Sequence, residues 1–211
     1  MKRPSPACLH DAYAATYDQE VQAYGCYLQE ALFGLCFEAL QPGQRVLDAG
    51  IGSGLSAALF AKAGLQVYGF DFSPAMLEVC RAKGIARELK RHDLQQAPWP
   101  YPSAAFDHLV CCGVLHFIPD LEGVFHEAGR MLREGGWYVF TTKTPTSLDA
   151  SGAKYERQSS GELDVFSHAP AYLTAIIDQA GFERIKVLKC FVGEEPFYAW
   201  AVQKCLTRSS P

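Results

Sequence analysis

The chain has 211 residues, of which 49% are apolar, so it can bury the core of one globular domain. A formal net charge of −4 argues against nucleic acid and against an anionic membrane surface as partners. The N-terminal segment has no apolar leader, and no run reaches the roughly 18 apolar residues of a membrane helix, so we expect a cytoplasmic protein.

The first predicted element is a helix over residues 27–40, where apolar side chains recur at helical spacing before Pro42 and Gly43. Strands and helices then alternate, separated by short turns. The strands are predicted at residues 44–48, 66–71, 86–90, 106–112 and 137–142, and the helices at residues 55–63, 75–83 and 121–132. This alternation predicts an α/β fold whose mostly parallel sheet has helices on both faces.

The last third of the chain departs from this alternation. Residues 143–165 have little apolar periodicity and are predicted to form a long loop, of the kind that often shapes a binding site. A helix is predicted at residues 170–180, followed by strands at 184–192 and 196–204 with three residues between them. Two strands so close together predict an antiparallel hairpin, which a dinucleotide-binding dehydrogenase does not have at this place.

The eight cysteines show no CxxC pair and no spacing typical of a metal site. Most of them lie in apolar stretches, as reduced cysteines of a protein core do. We therefore predict neither a disulfide nor a metal centre, and we expect a monomer or a homodimer.

A glycine-rich turn follows the first predicted strand in the segment VLDAGIGSG, residues 46–54. Gly50, Gly52 and Gly54 allow a tight turn and a close approach of the backbone to a ligand. A dinucleotide-binding GxGxxG motif that starts at Gly50 needs its third small residue at position 55. This position is Leu55, so NAD is disfavoured. The alternative is a glycine turn with a purely structural role.

Aspartates end or follow three successive predicted strands, at Asp48, Asp71 and Asp93. Ligands of open α/β sheets bind beyond the carboxyl ends of the strands, so we expect these carboxylates to converge on one crevice. Asp71 is suited to accept hydrogen bonds from the hydroxyls of an adenosine ribose, and Asp93 from the adenine amino group. Taken singly, each aspartate can instead cap a helix or lie in a solvated turn.

Several segments of the chain, in this order, resemble the motifs of class I S-adenosylmethionine (SAM)-dependent methyltransferases of the small-molecule type. They are VLDAGIGSG, YGFDFSPAML, HDL, FDHLVCCGVLHFI and MLREGGWYVF, within residues 44–142. The resemblance implies a Rossmann-like, seven-stranded, mostly parallel sheet with a C-terminal antiparallel hairpin. It also implies a single domain over residues 1–211, divided into a helical lid (1–43), a SAM-binding core (44–142), a substrate loop (143–168) and a C-terminal helix and hairpin (169–211).

The resemblance further implies which residues hold the cofactor. By this resemblance, Asp48 and the glycine turn bind the methionine portion of SAM. Asp71, Asp93 and their neighbours bind the adenosine. The complete implied set is Tyr17, Asp48, Gly50, Gly52, Ser53, Gly54, Asp71, Phe72, Met76, His92, Asp93, Leu94 and Cys112. Tyr17, or else Tyr13, resembles a lid tyrosine, although both can simply anchor an N-terminal helix, and Cys112 can instead be a core cysteine.

The implied reaction is transfer of the SAM methyl group to a small-molecule acceptor by in-line displacement, with S-adenosylhomocysteine as product. If the acceptor is a hydroxyl or a protonated amine, a base must remove its proton, and His116 and His168 are the candidates. His116 can instead be structural, and His168 can be an exposed residue beside a helix cap supplied by Ser167.

The acceptor site is expected to be walled by aromatic residues, with Tyr24, Tyr155 and Phe166 as candidates. A nucleic-acid methyltransferase is disfavoured, because the Asn/Asp-Pro-Pro-aromatic motif of amino-directed members is replaced by Cys-Cys-Gly-Val at residues 111–114. A protein methyltransferase and a SAM-binding regulatory module without turnover remain as alternatives, since their cofactor motifs are the same.

Overall fold

The computed structural model describes Asp11, residues 13–143, Pro145 and residues 152–160 and 163–206. Its helices are α1 (Tyr17–Ala23), α2 (Leu28–Cys36), α3 (Leu55–Lys62), α4 (Pro74–Ala82), α5 (Glu122–Met131) and α6 (Pro170–Gln179). Its strands are β1 (Arg45–Ala49), β2 (Gln66–Asp71), β3 (Ala86–Arg91), β4 (Phe106–Cys111), β5 (Leu132–Lys143), β6 (Tyr155–Ser160), β7 (Leu163–His168), β8 (Phe182–Val192) and β9 (Glu195–Lys204). Short 3₁₀ turns lie at Phe37–Ala39 and Leu115–Phe117.

The central sheet is parallel in the order β3-β2-β1-β4-β5. The chain moves outward from β1 to β3 on one side and then restarts at β4 on the other side of β1. This reversal opens a crevice beyond the carboxyl ends of β1 and β4, which is where open α/β sheets bind ligands. Strand β9 pairs antiparallel with β5 and with β8, so the predicted fold class and its C-terminal hairpin are confirmed.

The sheet formed by the described residues has nine strands rather than seven. The two additional strands, β6 and β7, form an antiparallel hairpin in the segment that was predicted to be a loop. Cross-strand contacts hold it together: Arg157 pairs with Asp164 at 2.6 Å, and the Tyr155 ring packs edge-on against Phe166 at 5.0 Å. These contacts depend on the antiparallel register of the two strands. The residues that make them show no helical or alternating apolar pattern along the sequence, so the hairpin could not be predicted from periodicity.

The core lies on both faces of the sheet. Successive residues of a strand point to opposite faces, and in β1, β4 and β5 both neighbours are buried. One face, covered by α5 and α6, contains Leu47, Leu109 and Tyr138, and the other, covered by α2 and α3, contains Val46, Val110 and Val139. This explains why these strands appear in the sequence as continuous apolar runs.

Helix α4 begins as its sequence predicts. The Ser73 hydroxyl accepts a hydrogen bond from the Met76 N–H at 3.1 Å, and Pro74 occupies the first helical position. None of the helices among the described residues has the length and apolar character that a membrane crossing requires.

Candidate active site

A cavity of about 390 Å³ lies beyond the carboxyl ends of β1, β2, β3 and β4. Helix α1 and the start of α2 cover it, with Tyr17 and Leu28 in its wall. Its volume is within the range of small-molecule and cofactor sites. The topology therefore places a partly open cavity at the crevice where a ligand is expected from the sequence.

The glycine loop, residues 50–54, forms the floor of this cavity. Gly50, Gly52 and Gly54 all have positive φ angles, of 79°, 52° and 86°. A Cβ atom at Gly50 would lie 2.7 Å from Cγ2 of Val114, whereas a Cβ atom at Gly52 would meet nothing within 4 Å. The loop is thus packed at Gly50 and open at Gly52, where a ligand can approach the backbone.

Asp71 ends β2 and lines the cavity. One of its carboxylate oxygens accepts the Gly52 N–H at 2.9 Å, and the other accepts the Ser73 N–H at 2.8 Å. These bonds fix the plane of the carboxylate and tie β2 to the glycine loop. A carboxylate is an acceptor only, with about four lone-pair sites, so Asp71 is the type of residue that ligand hydroxyls require.

An apolar slot with polar ends lies beyond the carboxyl ends of β2 and β3. Phe72, Met76 and Leu94 form its walls, and Asp93 and His92 lie beside them in the cavity lining. One Asp93 oxygen accepts the N–H of the residue two positions later at 2.9 Å, which orients the carboxylate at its loop. A flat aromatic base fits such a slot, with the carboxylate available for an exocyclic amino group.

Tyr17 and Cys112 face the cavity from α1 and from the end of β4. Burial, and then the nearby Cys112 thiol, raises the pKa of Tyr17 to about 12. Burial raises the pKa of Cys112 well above its ordinary range, and the buried Asp48 carboxyl adds to this effect. Both groups are therefore neutral at pH 7 and serve as hydrogen-bonding or packing groups rather than as bases.

Aspartates in and before α1 attach the N-terminal segment to the cavity rim. Asp18 accepts the Ser53 hydroxyl of the glycine loop at 2.5 Å and forms an ion pair with Lys83 at 2.5 Å. Asp11 accepts the Ser73 hydroxyl at 2.5 Å. Sequence reasoning did not identify these two aspartates, because their partners are distant in sequence and become neighbours only in the folded chain.

Residues 47–140 match the family model described as a methyltransferase domain. The chain is 31% identical over 173 residues to methyltransferase-like protein 27 of Homo sapiens, which covers 76% of this chain and 65% of that protein. It is 33% identical over 129 residues to malonyl-[acyl-carrier protein] O-methyltransferase of Serratia marcescens, which covers 61% of this chain and 49% of that protein. The chain thus spans between about half and two thirds of the length of these curated relatives.

Solved structures with this fold include 1,6-didemethyltoxoflavin-N1-methyltransferase of Burkholderia thailandensis, with its ligand and S-adenosylhomocysteine bound. The TM-score is 0.71 at 16% identity, over 98% of this chain and 93% of that chain. The SAM-dependent methyltransferase of Mesorhizobium loti has a TM-score of 0.67 at 19% identity, over 84% of this chain and 100% of that chain. The chain therefore has the fold of these SAM-dependent methyltransferases, and its residues 47–140 match a methyltransferase domain.

The Burkholderia thailandensis enzyme holds S-adenosylhomocysteine, and the cavity of this chain has features that such a ligand needs. Space remains above Gly52 for close approach of the amino-acid part of the cofactor. Asp71 and Asp93 lie in the lining at the strand ends where hydroxyl and amino donors of an adenosine require acceptors. The apolar slot between them suits the adenine ring.

Most of the expected cofactor-binding residues line this cavity, and Asp48 and Gly54 do not. Asp48 is 1% exposed and accepts the Ser56 hydroxyl at 2.6 Å behind the glycine loop, and burial raises its pKa to about 7. A Cβ atom at Gly54 would lie 2.8 Å from Cys80 Sγ. Both residues therefore support the glycine loop from behind, and the cavity lining does not include them.

The two expected catalytic histidines also lie outside the cavity lining. His168 is buried, its Nε2 is 2.9 Å from the Ile118 carbonyl oxygen, and burial lowers its pKa. His116 packs against Phe117 at 4.1 Å and against Phe197 at 5.5 Å. Since Ile118 and Phe117 do line the cavity, the histidines lie one layer behind its wall. The alternative of an exposed His168 is also wrong, because only 1% of the residue is exposed.

The expected aromatic walls lie elsewhere as well. Tyr24 is 74% exposed and Tyr13 is 55% exposed, and neither lines the cavity. Tyr155 and Phe166 pack against each other in the β6–β7 hairpin and do not line it either. At the end of the cavity below α1 and after β4, the lining residues are instead Val21, Cys26, Leu28, Gln29, Phe117 and Ile118. Most of them are apolar residues in or beside short helices, and nothing in the sequence distinguishes them from core residues.

Proposed function

We propose that this chain is an enzyme that transfers the methyl group of SAM to a small-molecule acceptor. The observation that carries the proposal is the cavity at the carboxyl ends of β1–β4, with an open glycine loop and two lining carboxylates. The match of residues 47–140 to a methyltransferase domain supports the use of SAM. A wholly structural role for these residues does not explain why both carboxylate residues line the same cavity.

Different residues of the chain bind different parts of the cofactor. The Asp71 carboxylate accepts the ribose hydroxyls, and the Asp93 carboxylate accepts the adenine amino group. The Gly52 backbone approaches the amino-acid part, and Tyr17 covers it from α1. Bound SAM supplies a methyl carbon made electrophilic by the neighbouring sulfonium.

The protein contributes to methyl transfer mainly by positioning and by excluding water. Helix α1, held to the rim through Asp18 and Asp11, encloses the reactants, and the apolar wall lets the acceptor approach in line with the methyl group. A small acceptor fits this enclosure better than a folded macromolecule does. One structurally similar protein is named for a small-molecule substrate, 1,6-didemethyltoxoflavin, which supports this class of acceptor.

The test is calorimetric titration of the purified protein with SAM, S-adenosylhomocysteine and NAD. SAM and its product should bind with micromolar affinity, about −8 kcal/mol, and NAD should not bind. Asp71→Asn should weaken SAM binding by roughly 10- to 150-fold, which corresponds to the ~1.5–3 kcal/mol of hydrogen bonds to a charged group. The control is Glu78→Gln, because this exposed carboxylate of α4 lies outside the cavity lining.

Two results contradict the proposal. One is the absence of SAM binding, or NAD binding in its place. The other is SAM binding that Asp71→Asn leaves at the wild-type affinity. SAM binding without release of S-adenosylhomocysteine in the presence of any acceptor favours a regulatory module instead.

A further inference from the structure

Charge is unevenly distributed in the cavity. The carboxylates of Asp71 and Asp93 and the imidazole of His92 all lie at the end beside β2 and β3. The opposite end, past β4 and under α1, is lined by Val21, Cys26, Leu28, Gln29, Phe117 and Ile118. Because the adenosine and the amino-acid part of SAM take the β2–β3 end and the glycine loop, the β4 end is left for the acceptor. We name these six residues the acceptor end.

The ionisable groups that face the acceptor end are protonated at neutral pH. Burial raises the pKa of Tyr17 to about 12, raises that of Cys26 above its ordinary value, and raises that of Cys112 well above it. Each group is therefore in its neutral form and cannot act as a base at pH 7.

The carboxylates that act on these three groups are Asp18, Asp48, Asp71 and Glu30. Asp48 is buried outside the cavity lining, where it accepts the Ser56 hydroxyl. Asp18 is engaged by Ser53 and Lys83, and Asp71 holds two backbone N–H groups at the other end of the cavity. Glu30 is exposed on α2 and is not part of the cavity lining. Within the part of the chain that the structure describes, the acceptor end thus presents no charged side chain and no base.

An acceptor that reaches this end as a neutral hydroxyl or as an ammonium ion has a proton to lose, and no described side chain there can take it. An acceptor that is already an anion avoids this step. A lone anion is disfavoured in an apolar, uncharged pocket, but a neighbouring cation compensates for its lost hydration. The sulfonium of bound SAM is such a cation.

We propose, on the basis of the function proposed above, that the acceptor is a largely apolar small molecule whose nucleophilic oxygen or sulfur is ionised when it binds. A lone pair of that atom forms the new bond to the methyl carbon, and the carbon–sulfur bond of the cofactor breaks with its electron pair left on sulfur. Anion and cation become two neutral products. No proton moves, so the uncharged wall is sufficient.

Gln29 supplies a polar contact for such an anion. Its amide nitrogen donates one hydrogen to the Cys26 carbonyl oxygen at 3.1 Å, which fixes the amide plane. An amide nitrogen carries two hydrogens, so the second remains for an acceptor oxygen or sulfur. Gln29→Glu has nearly the same shape but replaces this donor by a negative charge, and it therefore tests the charge of the acceptor directly.

The experiment measures binding rather than turnover. Benzoate, 4-nitrophenolate and thiophenolate serve as anionic probes, and benzyl alcohol and benzylamine serve as neutral and cationic probes of similar size. Each is titrated calorimetrically into the protein saturated with S-adenosylhomocysteine, or with sinefungin, an analogue in which an ammonium group replaces the sulfonium. The anions should bind about tenfold more tightly to the sinefungin complex, since one nearby positive charge is added. Benzyl alcohol should show no difference.

Variants separate a charge effect from a loss of shape. Gln29→Glu should weaken binding of the anions by about tenfold or more and leave the affinity of the neutral benzyl alcohol unchanged. The matched control is Gln19→Glu, which adds the same charge at an exposed position of α1 outside the cavity lining. The apparent pKa for binding should follow the pKa of each probe, and comparison of the oxygen and sulfur probes identifies the preferred nucleophile.

Other results overturn the inference. They are preferential binding of benzylamine, equal affinity of the anions for the two complexes, no anion binding, or an apparent pKa that is the same for every probe. Failure of the protein to bind sinefungin and S-adenosylhomocysteine contradicts the proposed function itself. Cofactor binding without a preference for anions contradicts only the proposed class of acceptor.

Discussion

Gly69 lies in the middle of β2, and its substitution by alanine is predicted to disturb the glycine loop of the cavity. A Cβ atom there would lie 2.5 Å from Cδ1 of Ile51, 2.9 Å from its Cβ and 3.0 Å from its Cγ2. Rotation of the Ile51 side chain can relieve the first contact but not the contact with its Cβ. Gly69→Ala must therefore move the backbone of the glycine loop, which lines the cofactor cavity.

The expected cost is that of overpacking a well-filled core, about 1–3 kcal/mol of the free energy of unfolding. Alanine also restricts the unfolded chain, which offsets about 0.4–1 kcal/mol of this cost. A net destabilisation of ~1–2 kcal/mol should remain. Because Ile51 belongs to the cavity lining, SAM binding should weaken in the same variant.

Guanidinium denaturation measures the stability change, and calorimetry measures SAM affinity. The control is Gly34→Ala in α2, where a Cβ atom meets nothing within 4 Å, and it should stabilise the protein by up to ~1 kcal/mol. In an Ile51→Ala background two of the three close contacts are gone, so Gly69→Ala should cost much less. Wild-type stability of Gly69→Ala, or the same cost in both backgrounds, would refute this reasoning.

Other predictions concern buried polar groups and the attachment of α1. Burial raises the pKa of Asp48 from 3.8 to about 7, so the unfolded chain ionises first and the stability falls as pH rises from about 4 to about 7, by up to ~1.4 kcal/mol per pH unit. Asp48→Asn should remove this pH dependence, which urea denaturation at roughly pH 4 and pH 8 measures. Asp18→Asn should weaken SAM binding by about fivefold with little change in stability, whereas Glu20→Gln on the same helix should leave the calorimetric affinity unchanged. Tyr172→Phe should cost ~1–3 kcal/mol in denaturant titrations, because a buried backbone N–H loses its acceptor at 2.8 Å; unchanged stability would show that another group replaces it.

The fold was predictable because its signals are local. Val46 and Leu47 are adjacent in sequence and buried on opposite faces, so β1 appears as a continuous apolar run. The glycine loop after it and the Ser73–Pro74 start of α4 are also defined by neighbouring residues. The parallel order of the strands then brings their carboxyl ends together, which is why the location of the cofactor cavity could be predicted.

The roles of individual residues were less predictable. Asp48 and Asp71 both lie near the ends of parallel strands, but α3 brings Ser56 to Asp48 and buries it, whereas Asp71 faces the cavity. His168 is another case, because its partners Ile118 and Tyr172 come from other elements. Sequence spacing indicates which edge of the sheet a residue approaches, but not which neighbour will engage its side chain.

The sequence by itself determined the parallel sheet, the glycine loop and the edge of the sheet at which the cofactor binds. Only the tertiary structure decided that Asp48 and the two histidines lie behind the cavity wall, and that an uncharged surface lines the acceptor end. The reason is physical: backbone periodicity and turn geometry depend on residues a few positions apart, whereas burial and charge in a cavity depend on elements that are distant in the chain.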